Sequence, residues 1–224
     1  MNGRQKYIFD CSDTIQQLKP SEYKNIIFDF GGVILNLDYQ HTINAFRELG
    51  VEDFDQSFSQ LNQTDLFDKF ERGEVSPESF RNGLKIAFDK PVSDIEIDRA
   101  WNAMLLDLPT ERLQVLDRLR LEKRVSLLSN TNEIHVQAFE AILKNAHGLE
   151  NLNSFFDQVY YSCRTGMRKP EKRIFDLVIN EQGYLPEETL FIDDSPQHIE
   201  GALKAGLSAY HLRAGKGETI ADLF

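Results

Sequence analysis

The chain has 224 residues, of which 41% are hydrophobic and 11% are aromatic. This length suits one sizeable domain, or a core domain with a smaller inserted module, and the apolar fraction excludes bulk disorder. The formal net charge of −11 argues against nucleic acid as a partner, because a phosphate backbone requires a basic face. No run approaches the ~20 apolar residues of a membrane span, so we expect no membrane insertion.

The first 22 residues are predicted to form an N-terminal extension that packs on the surface. They lack the apolar run of a secretory signal. The whole chain has two cysteines, which cannot build a disulfide framework. We therefore expect a cytoplasmic protein.

An apolar run over residues 25–30 ends in two glycines and predicts a buried first strand. Residues 39–106 then show helical spacing of apolar side chains and no strand-like alternation. They include a helix over residues 39–49, a second helix that Ser76 caps, and a third whose capping box begins at Ser93. This segment is predicted to be all-helical.

Residues 38–107 hold most of the excess acidic charge, with 15 Asp and Glu against 7 Lys and Arg. From residue 108 strands alternate with helices, which requires right-handed crossovers and a parallel sheet covered on both faces. The helical segment is therefore an insertion after the first strand of an α/β domain. The later strands are predicted at 125–129, 158–161, 189–192 and 207–212, and helix starts at Thr110, Glu133, Pro170 and Ser195.

Polar side chains lie at the points where the predicted strands end. Asp29 ends the apolar part of the first strand, Ser129 ends the second, and Asp193 and Asp194 follow the strand at 189–192, while Lys169 precedes a helix start. In open parallel sheets, chemistry gathers at the carboxyl ends of the strands. Three mutually repelling carboxylates demand a cation and suit Mg²⁺. With a nucleophilic carboxylate, a hydroxyl and a lysine, the set indicates phosphoryl transfer.

The order of these elements resembles the haloacid dehalogenase-like hydrolase superfamily, with its cap inserted after the first strand. The resemblance covers residues 24 to about 213. It implies a Rossmann-like three-layer core over residues 23–37 and 108–224, and a small helical cap over residues 38–107 that closes over the substrate. The four family motifs are matched by Ile26–Val33, Leu127–Asn132, Gly166–Pro170 and Phe191–Asp194.

The resemblance also implies a role for each matched residue. Asp29 would attack the phosphorus and become an aspartyl phosphate, which water then hydrolyses, with Asp29, Ser129 and Lys169 as the catalytic residues. The substrate's phosphoryl group would be bound by Ser129, the Asn130 backbone and Lys169. Mg²⁺ would be held by Asp29, the backbone carbonyl of Gly31 and Asp194, with Asp193 in support.

Gly31 departs from the family pattern. Most phosphatases of the superfamily have a second aspartate at this position, which serves as general acid and base. Such catalysis is worth ~10²–10⁴-fold, so its loss slows the enzyme or restricts it to better leaving groups. An anomeric phosphate has such a leaving group, because its hydroxyl is more acidic than that of an ordinary alcohol. The motifs at Gly166–Pro170 and Asp193–Ala202 also resemble those of the family branch that hydrolyses glucose 1-phosphate. We expect a phosphatase for a small phosphorylated metabolite such as this sugar phosphate, as a monomer or weak homodimer.

Two alternatives remain open from the sequence. A dehalogenase of the same superfamily also lacks the second aspartate, but it needs no metal, and the resemblance predicts Ser or Asn where this chain has Asp193 and Asp194. Paired carboxylates beside the nucleophile are costly without a cation. A phosphate-binding module that has lost turnover would also explain Gly31, although the intact Asp29, Ser129 and Lys169 oppose it.

Several other residues with reactive side chains are predicted to be structural. Residues 7–14 imitate the nucleophile motif without its glycines, and Cys163 is expected to be a small buried residue rather than a nucleophile. Arg168 either touches substrate or is a surface charge, and Trp101 is expected in the core of the cap. The five histidines show no metal-ligand spacing: His41, His135, His147, His198 and His211.

Overall fold

The computed structural model describes residues 19–51 and 65–224. Five parallel strands form one sheet in the order β3-β2-β1-β4-β5. The α/β class and the parallel sheet predicted from the sequence are therefore confirmed. The strands are β1 (Asn25–Phe28), β2 (Arg124–Ser129), β3 (Gln158–Tyr161), β4 (Thr189–Asp193) and β5 (Ser208–His211).

Helices cover both faces of this sheet, because successive side chains of its inner strands point to opposite sides. In β1, Ile26 and Phe28 face one apolar cluster and Ile27 faces another, and all three are fully buried. The result is a three-layer core with β1 in its centre.

The helical segment after β1 contains, among the described residues, α1 (Tyr39–Glu48), α2 (Leu66–Glu71), α3 (Pro77–Phe88) and α4 (Asp94–Asn102). The others are α5 (Thr110–Leu119), α6 (Glu133–His147), α7 (Ser162–Thr165), α8 (Lys172–Gln182) and α9 (Pro196–Lys204). Short 3₁₀ turns lie at Pro20–Glu22, Pro186–Glu188, Ala214–Lys216 and Ile220–Asp222.

Local sequence signals predicted most of the helix starts correctly. The hydroxyl of Ser76 accepts a hydrogen bond from the Ser79 N–H, and the capping box of Ser93 and Glu96 is present. The start at Thr110 is correct, although Pro109 and not Thr110 occupies the N-cap of α5. One predicted start was wrong. The helix predicted to open at Pro170 begins at Lys172.

The helical segment has its own apolar core. Phe46, Phe70, Phe80 and Trp101 are buried together, and the rings of Phe70 and Phe80 stack with centroids 4.0 Å apart. The two chain connections to the sheet run side by side, because the N–H of Leu106 donates to the carbonyl of residue 36. The division of the chain at residues 38 and 107 stays a prediction.

Within the described residues, no helix is long and apolar enough to cross a membrane. The proposed N-terminal extension lies outside the described residues up to position 18, as does the imitation of the nucleophile motif at residues 7–14.

Candidate active site

Two strand ends and the loop before α8 bring two carboxylates and a lysine into contact. Asp29 directly follows β1, and its N–H donates to the Ile192 carbonyl of β4, which fixes the residue beside the end of that strand. Lys169 is fully buried, and its Nζ lies 2.6 Å from Asp29 Oδ1 and 2.7 Å from Asp193 Oδ2. The predicted nucleophile and the predicted phosphate-binding lysine are therefore direct partners.

The side chain of Asn130 holds the backbone of Lys169. Its Oδ1 accepts from the Lys169 N–H at 2.9 Å, and its Nδ2 donates to the Lys169 carbonyl at 2.9 Å. The loop before α8 is thereby tied to the end of β2. The sequence predicted a phosphate contact from the Asn130 backbone but not this positioning role of its side chain.

Asp193 is fully buried and has three partners. Besides Lys169, its carboxylate contacts Nδ1 of His198 at 2.9 Å and accepts from the Ser195 N–H at 2.8 Å. The sequence analysis treated His198 as structural or surface. The sequence does contain a signal for this contact. His198 lies in the first turn of the helix that starts just after Asp193, and a side chain in that turn can reach back to the strand end.

Asp194 packs directly on the glycine pair after β1. A Cβ added to Gly32 would lie only 2.2 Å from Asp194 Oδ2, and Gly32 has a φ of +78°. A side chain at this position is therefore excluded by space and by backbone conformation. The close approach brings the Asp194 carboxylate beside the Gly31–Gly32 backbone, where the sequence predicted a metal.

Burial, with repulsion second, raises the pKa of two of the three carboxyl groups in the site. Burial and the charge of Asp193 raise the pKa of Asp29 to about 7, even though Lys169 lowers it. Burial and Asp193 also raise the pKa of Asp194. Burial opposes ionisation of Asp193 as well, but Lys169 and His198 lower its pKa. This site carries an excess of negative charge that a further cation would relieve.

The donor set fits Mg²⁺ better than a softer metal. Ligand atoms of Asp29, Asp193 and His198 lie within 4.8 Å of one another, but Lys169 already contacts both carboxylates. The imidazole is a nitrogen donor that holds Asp193, whereas Mg²⁺ prefers oxygen ligands. Carboxylate oxygens of Asp29 and Asp194 with the Gly31 carbonyl form the oxygen set that suits this ion.

A cavity of about 460 Å³ lies between the sheet and the helical segment, next to the nucleophile. Ser129, Asn130 and Gly31 line its floor, and Tyr39 and Glu71 reach it from the helical segment. The other lining side chains are mostly apolar: Phe30, Leu35, Leu37, Ile43, Phe67, Trp101, Met104, Leu105 and Phe139.

The structure shows the surroundings of three other residues that the sequence singled out. Burial and the neighbouring Glu133 raise the pKa of the Cys163 thiol to about 12, so this residue is not an activated nucleophile. Trp101 is buried within the cap cluster, as predicted, and it also lines the cavity. Arg168 contacts Asp68 and Glu71 of the helical segment, so it is an interdomain partner rather than a solvated charge.

The sequence matches the haloacid dehalogenase-like hydrolase family over residues 23–206. The chain belongs to this family. It is 32% identical over 192 residues to the D-ribitol-5-phosphate phosphatase of Bacteroides thetaiotaomicron, which covers 86% of this chain and 93% of that protein. Several of its relatives are named phosphatases, and this chain is accordingly a phosphatase of the family that acts on phosphate monoesters.

Solved structures agree with this assignment. A family enzyme from B. thetaiotaomicron in complex with magnesium and inorganic phosphate superposes with a TM-score of 0.77 and 39% identity, over 86% of this chain and 96% of that one. A more distant relative, a sesquiterpene phosphatase of Aspergillus oryzae, is 26% identical over 85% of this chain and 90% of its own length.

Proposed function

We propose that the protein hydrolyses a small phosphorylated metabolite through an aspartyl phosphate formed on Asp29. The observation that carries the proposal is the contact of Lys169 with both Asp29 and Asp193 in a fully buried cluster at the strand ends. An ammonium here can neutralise the charge of a transferring phosphoryl group. The cap for this site is the helical segment over residues 38–107.

Mg²⁺ is the cofactor, and it neutralises phosphate charge when bound. Asp29, Asp194 and the Gly31 carbonyl would hold the ion, with Asp193 in support. The support for this set is the excess of carboxylate charge, together with the close packing of Asp194 on the glycine pair.

The reaction has two steps on this chain's own residues. Asp29 attacks the phosphorus while Ser129, the Asn130 backbone and Lys169 bind the phosphoryl oxygens, and the bond to the ester oxygen breaks. Water then attacks the phosphorus of the aspartyl phosphate, which releases inorganic phosphate and restores the Asp29 carboxylate. Lys169 lowers the pKa of Asp29, and a bound Mg²⁺ would lower it further, which favours the carboxylate form that attacks.

A sugar phosphate is the proposed substrate, with glucose 1-phosphate as one candidate. The match to a protein named for D-ribitol 5-phosphate supports a polyol or sugar ester. Glucose 1-phosphate rests on the acidity of its leaving hydroxyl and on the motif resemblance alone.

An apolar phosphate ester is a second candidate, because the cavity next to the nucleophile is lined mainly by aromatic and aliphatic side chains. Such a wall gains free energy from burying hydrocarbon and offers few partners to sugar hydroxyls. The relationship to a sesquiterpene phosphatase is in keeping with this observation.

Phosphate release from a panel of esters tests the proposal. The panel holds ribitol 5-phosphate, glucose 1-phosphate, glucose 6-phosphate, farnesyl phosphate and an aryl phosphate, each with Mg²⁺ and with a chelator. We expect metal-dependent release with a preference for one of the first two sugar esters. Preference for the farnesyl ester would support the second candidate, and no release from any ester would favour a phosphate-binding module.

A further inference from the structure

Leu37 occupies the place where the general acid of related phosphatases would stand. A Cβ added to Gly31 would lie 2.5 Å from Leu37 Cδ1, so the side chain of Leu37 fills the space beside the nucleophile. The chain has no acid at position 31, and one introduced there would have to push the Leu37 side chain aside. A proton for the leaving group must therefore come from another residue.

Glu71 lines the same cavity from the helical segment. It is the last residue of α2 and lines the cavity together with Gly31, Ser129 and Asn130. Its Oε2 is buried, while 29% of the side chain as a whole remains exposed. The carboxyl group thus has one oxygen packed in protein, and the residue still borders the space where a substrate would lie.

An ion pair with Arg168 holds the Glu71 carboxyl group, and further ion pairs hold the neighbouring Asp68. Arg168, the neighbour of Lys169 in sequence, contacts Glu71 Oε2 at 2.9 Å and Asp68 Oδ1 at 2.5 Å. Arg72 pairs with Asp68 at 2.7 Å and also with Glu171 beyond the third motif. The end of α2 is therefore attached to the same loop that carries Lys169.

Burial makes the Glu71 carboxyl group easier to protonate than that of an exposed glutamate. Burial raises the pKa of Glu71 although Arg168 opposes the shift. Burial and the charges of Asp194, Asp29 and Glu71 also raise the pKa of Tyr39, of which 65% remains exposed. Tyr39 and Glu71 both line the cavity, and the charges of Asp29 and Glu71 both act on the phenol of Tyr39.

The other polar groups that line the described part of the cavity are less suited to this role. The Thr42 hydroxyl donates to the Trp101 carbonyl and accepts from the Met104 N–H. Both ring nitrogens of His135 are engaged within the protein. Tyr39 keeps its proton at neutral pH and cannot serve as a base.

We propose that Glu71 is the general acid and base at the leaving-group oxygen, in place of the residue missing at Gly31. This role rests on the proposed phosphatase function. In the first step Asp29 bonds to phosphorus, the bond from phosphorus to the ester oxygen breaks, and the Glu71 carboxyl proton passes to that oxygen. In the second step the Glu71 carboxylate takes a proton from the attacking water, the aspartyl bond breaks, and the acid form of Glu71 returns.

Glu71→Gln tests this role with two esters that differ in their leaving groups. An alkyl phosphate needs a proton on its departing oxygen, whereas an aryl phosphate departs without one. We expect kcat/KM for the alkyl ester to fall about 10²–10⁴-fold and that for the aryl ester to change less than about tenfold. The second step loses its base in both cases, so the aryl ester should give a burst of phenol followed by slow turnover.

The control is Glu74→Gln, which removes an exposed carboxylate from the same end of the helical segment. It should leave both esters unchanged. Equal losses of kcat/KM for the two esters, or no loss for either, would overturn the role of Glu71, and the burst shows that the variant is folded. If the wild-type enzyme releases phosphate from neither ester, the proposed phosphatase function itself fails.

Discussion

At the scale of single residues, Lys169 is the most constrained charge in the site. It is fully buried, and its ammonium contacts the carboxylates of both Asp29 and Asp193. The attraction of the two carboxylates raises its pKa against the opposing effect of burial. Loss of one member of such a buried cluster leaves the others without compensation.

Lys169→Met should therefore lower the free energy of unfolding by about 3 kcal/mol at pH 7 in the presence of a chelator. Urea unfolding measures this change. Lys172→Met serves as the control, because that lysine is exposed and its ion pair with Asp176 is worth little. Equal stability of the Lys169 variant and the control would contradict the account of the buried cluster.

Gly31→Asp supplies the acid found in related phosphatases, but the new side chain must displace Leu37. We expect kcat/KM for an alkyl phosphate to fall by up to about tenfold. A strain of about 1.4 kcal/mol in the substituted site would produce this change. The double variant with Leu37→Ala, which opens the space, should recover part of this loss. A large rise in turnover for the single variant would show that the site merely lacks an acid.

The sequence predicted the residues that follow strands and missed those that depend on distant partners. Asp29, Ser129 and Asp193 could be found because apolar runs end at them. Glu71 follows no apolar run, and its proposed role depends on its contact with Arg168 and on its position in the cavity wall. The placement of Leu37 against Gly31 is likewise a tertiary contact that no spacing shows.

At the scale of elements, α6 is anchored to α4 through a buried histidine. His135 Nε2 contacts the Trp101 carbonyl at 3.2 Å, and its ring stacks on the Trp101 indole. Nδ1 faces the amide nitrogen of Asn132 at 3.2 Å. These partners suit a neutral ring that carries its proton on Nε2, and burial lowers the pKa of His135 to about 4.

This depressed pKa predicts a pH dependence of stability. The unfolded chain binds a proton near pH 6.5 and the folded one near pH 4, so the stabilisation is complete above pH 6.5 and is lost as the pH falls towards 4. The loss amounts to about 3 kcal/mol.

Urea unfolding at a series of pH values from about 4 to about 7.5 covers this window and measures the effect. His135→Gln should flatten the pH dependence relative to the wild type, and His41→Gln, at an exposed position, should not. Parallel pH profiles for the wild type and the His135 variant would contradict this assignment.

The turn after α2 touches the core at Gly73. Its φ is +70°, and an added Cβ would lie 2.0 Å from the Cys163 carbonyl. Gly148, at the end of α6, has a similar φ of +69° but nothing within 4 Å of an added Cβ. The two glycines share the same backbone strain and differ in contact, so they form a matched pair.

Both Gly73→Ala and Gly148→Ala should lower the free energy of unfolding by about 1 kcal/mol through the left-handed backbone. Gly73→Ala should in addition push the end of α2 away from the core and lower kcat/KM by at least about tenfold. Phosphate release assays compare the two variants. Equal activity of both would mean that the contact at Gly73 does not position the site.

At the scale of the whole molecule, the parallel sheet and the inserted helical segment were predictable because each depends on local patterns. Strand–helix alternation predicted the sheet, and helical spacing predicted the segment. The short helix α2 was not anticipated, since six residues carry too little periodicity. The start of α8 was predicted at Pro170 instead of Lys172. The two hydrogen bonds from Asn130 to the Lys169 backbone hold the chain in a turn there, and this tertiary contact has no local sequence signal.

The proposed mechanism requires Asp29 to carry the phosphoryl group in a metal-dependent reaction. Acid quenching of the enzyme during turnover of an aryl phosphate, followed by mass spectrometry, detects that covalent intermediate. We predict one phosphoryl group on Asp29 with Mg²⁺, and none with a chelator or in Asp29→Asn. Steady phosphate release with no adduct on Asp29, or undiminished release by Asp29→Asn, would contradict it.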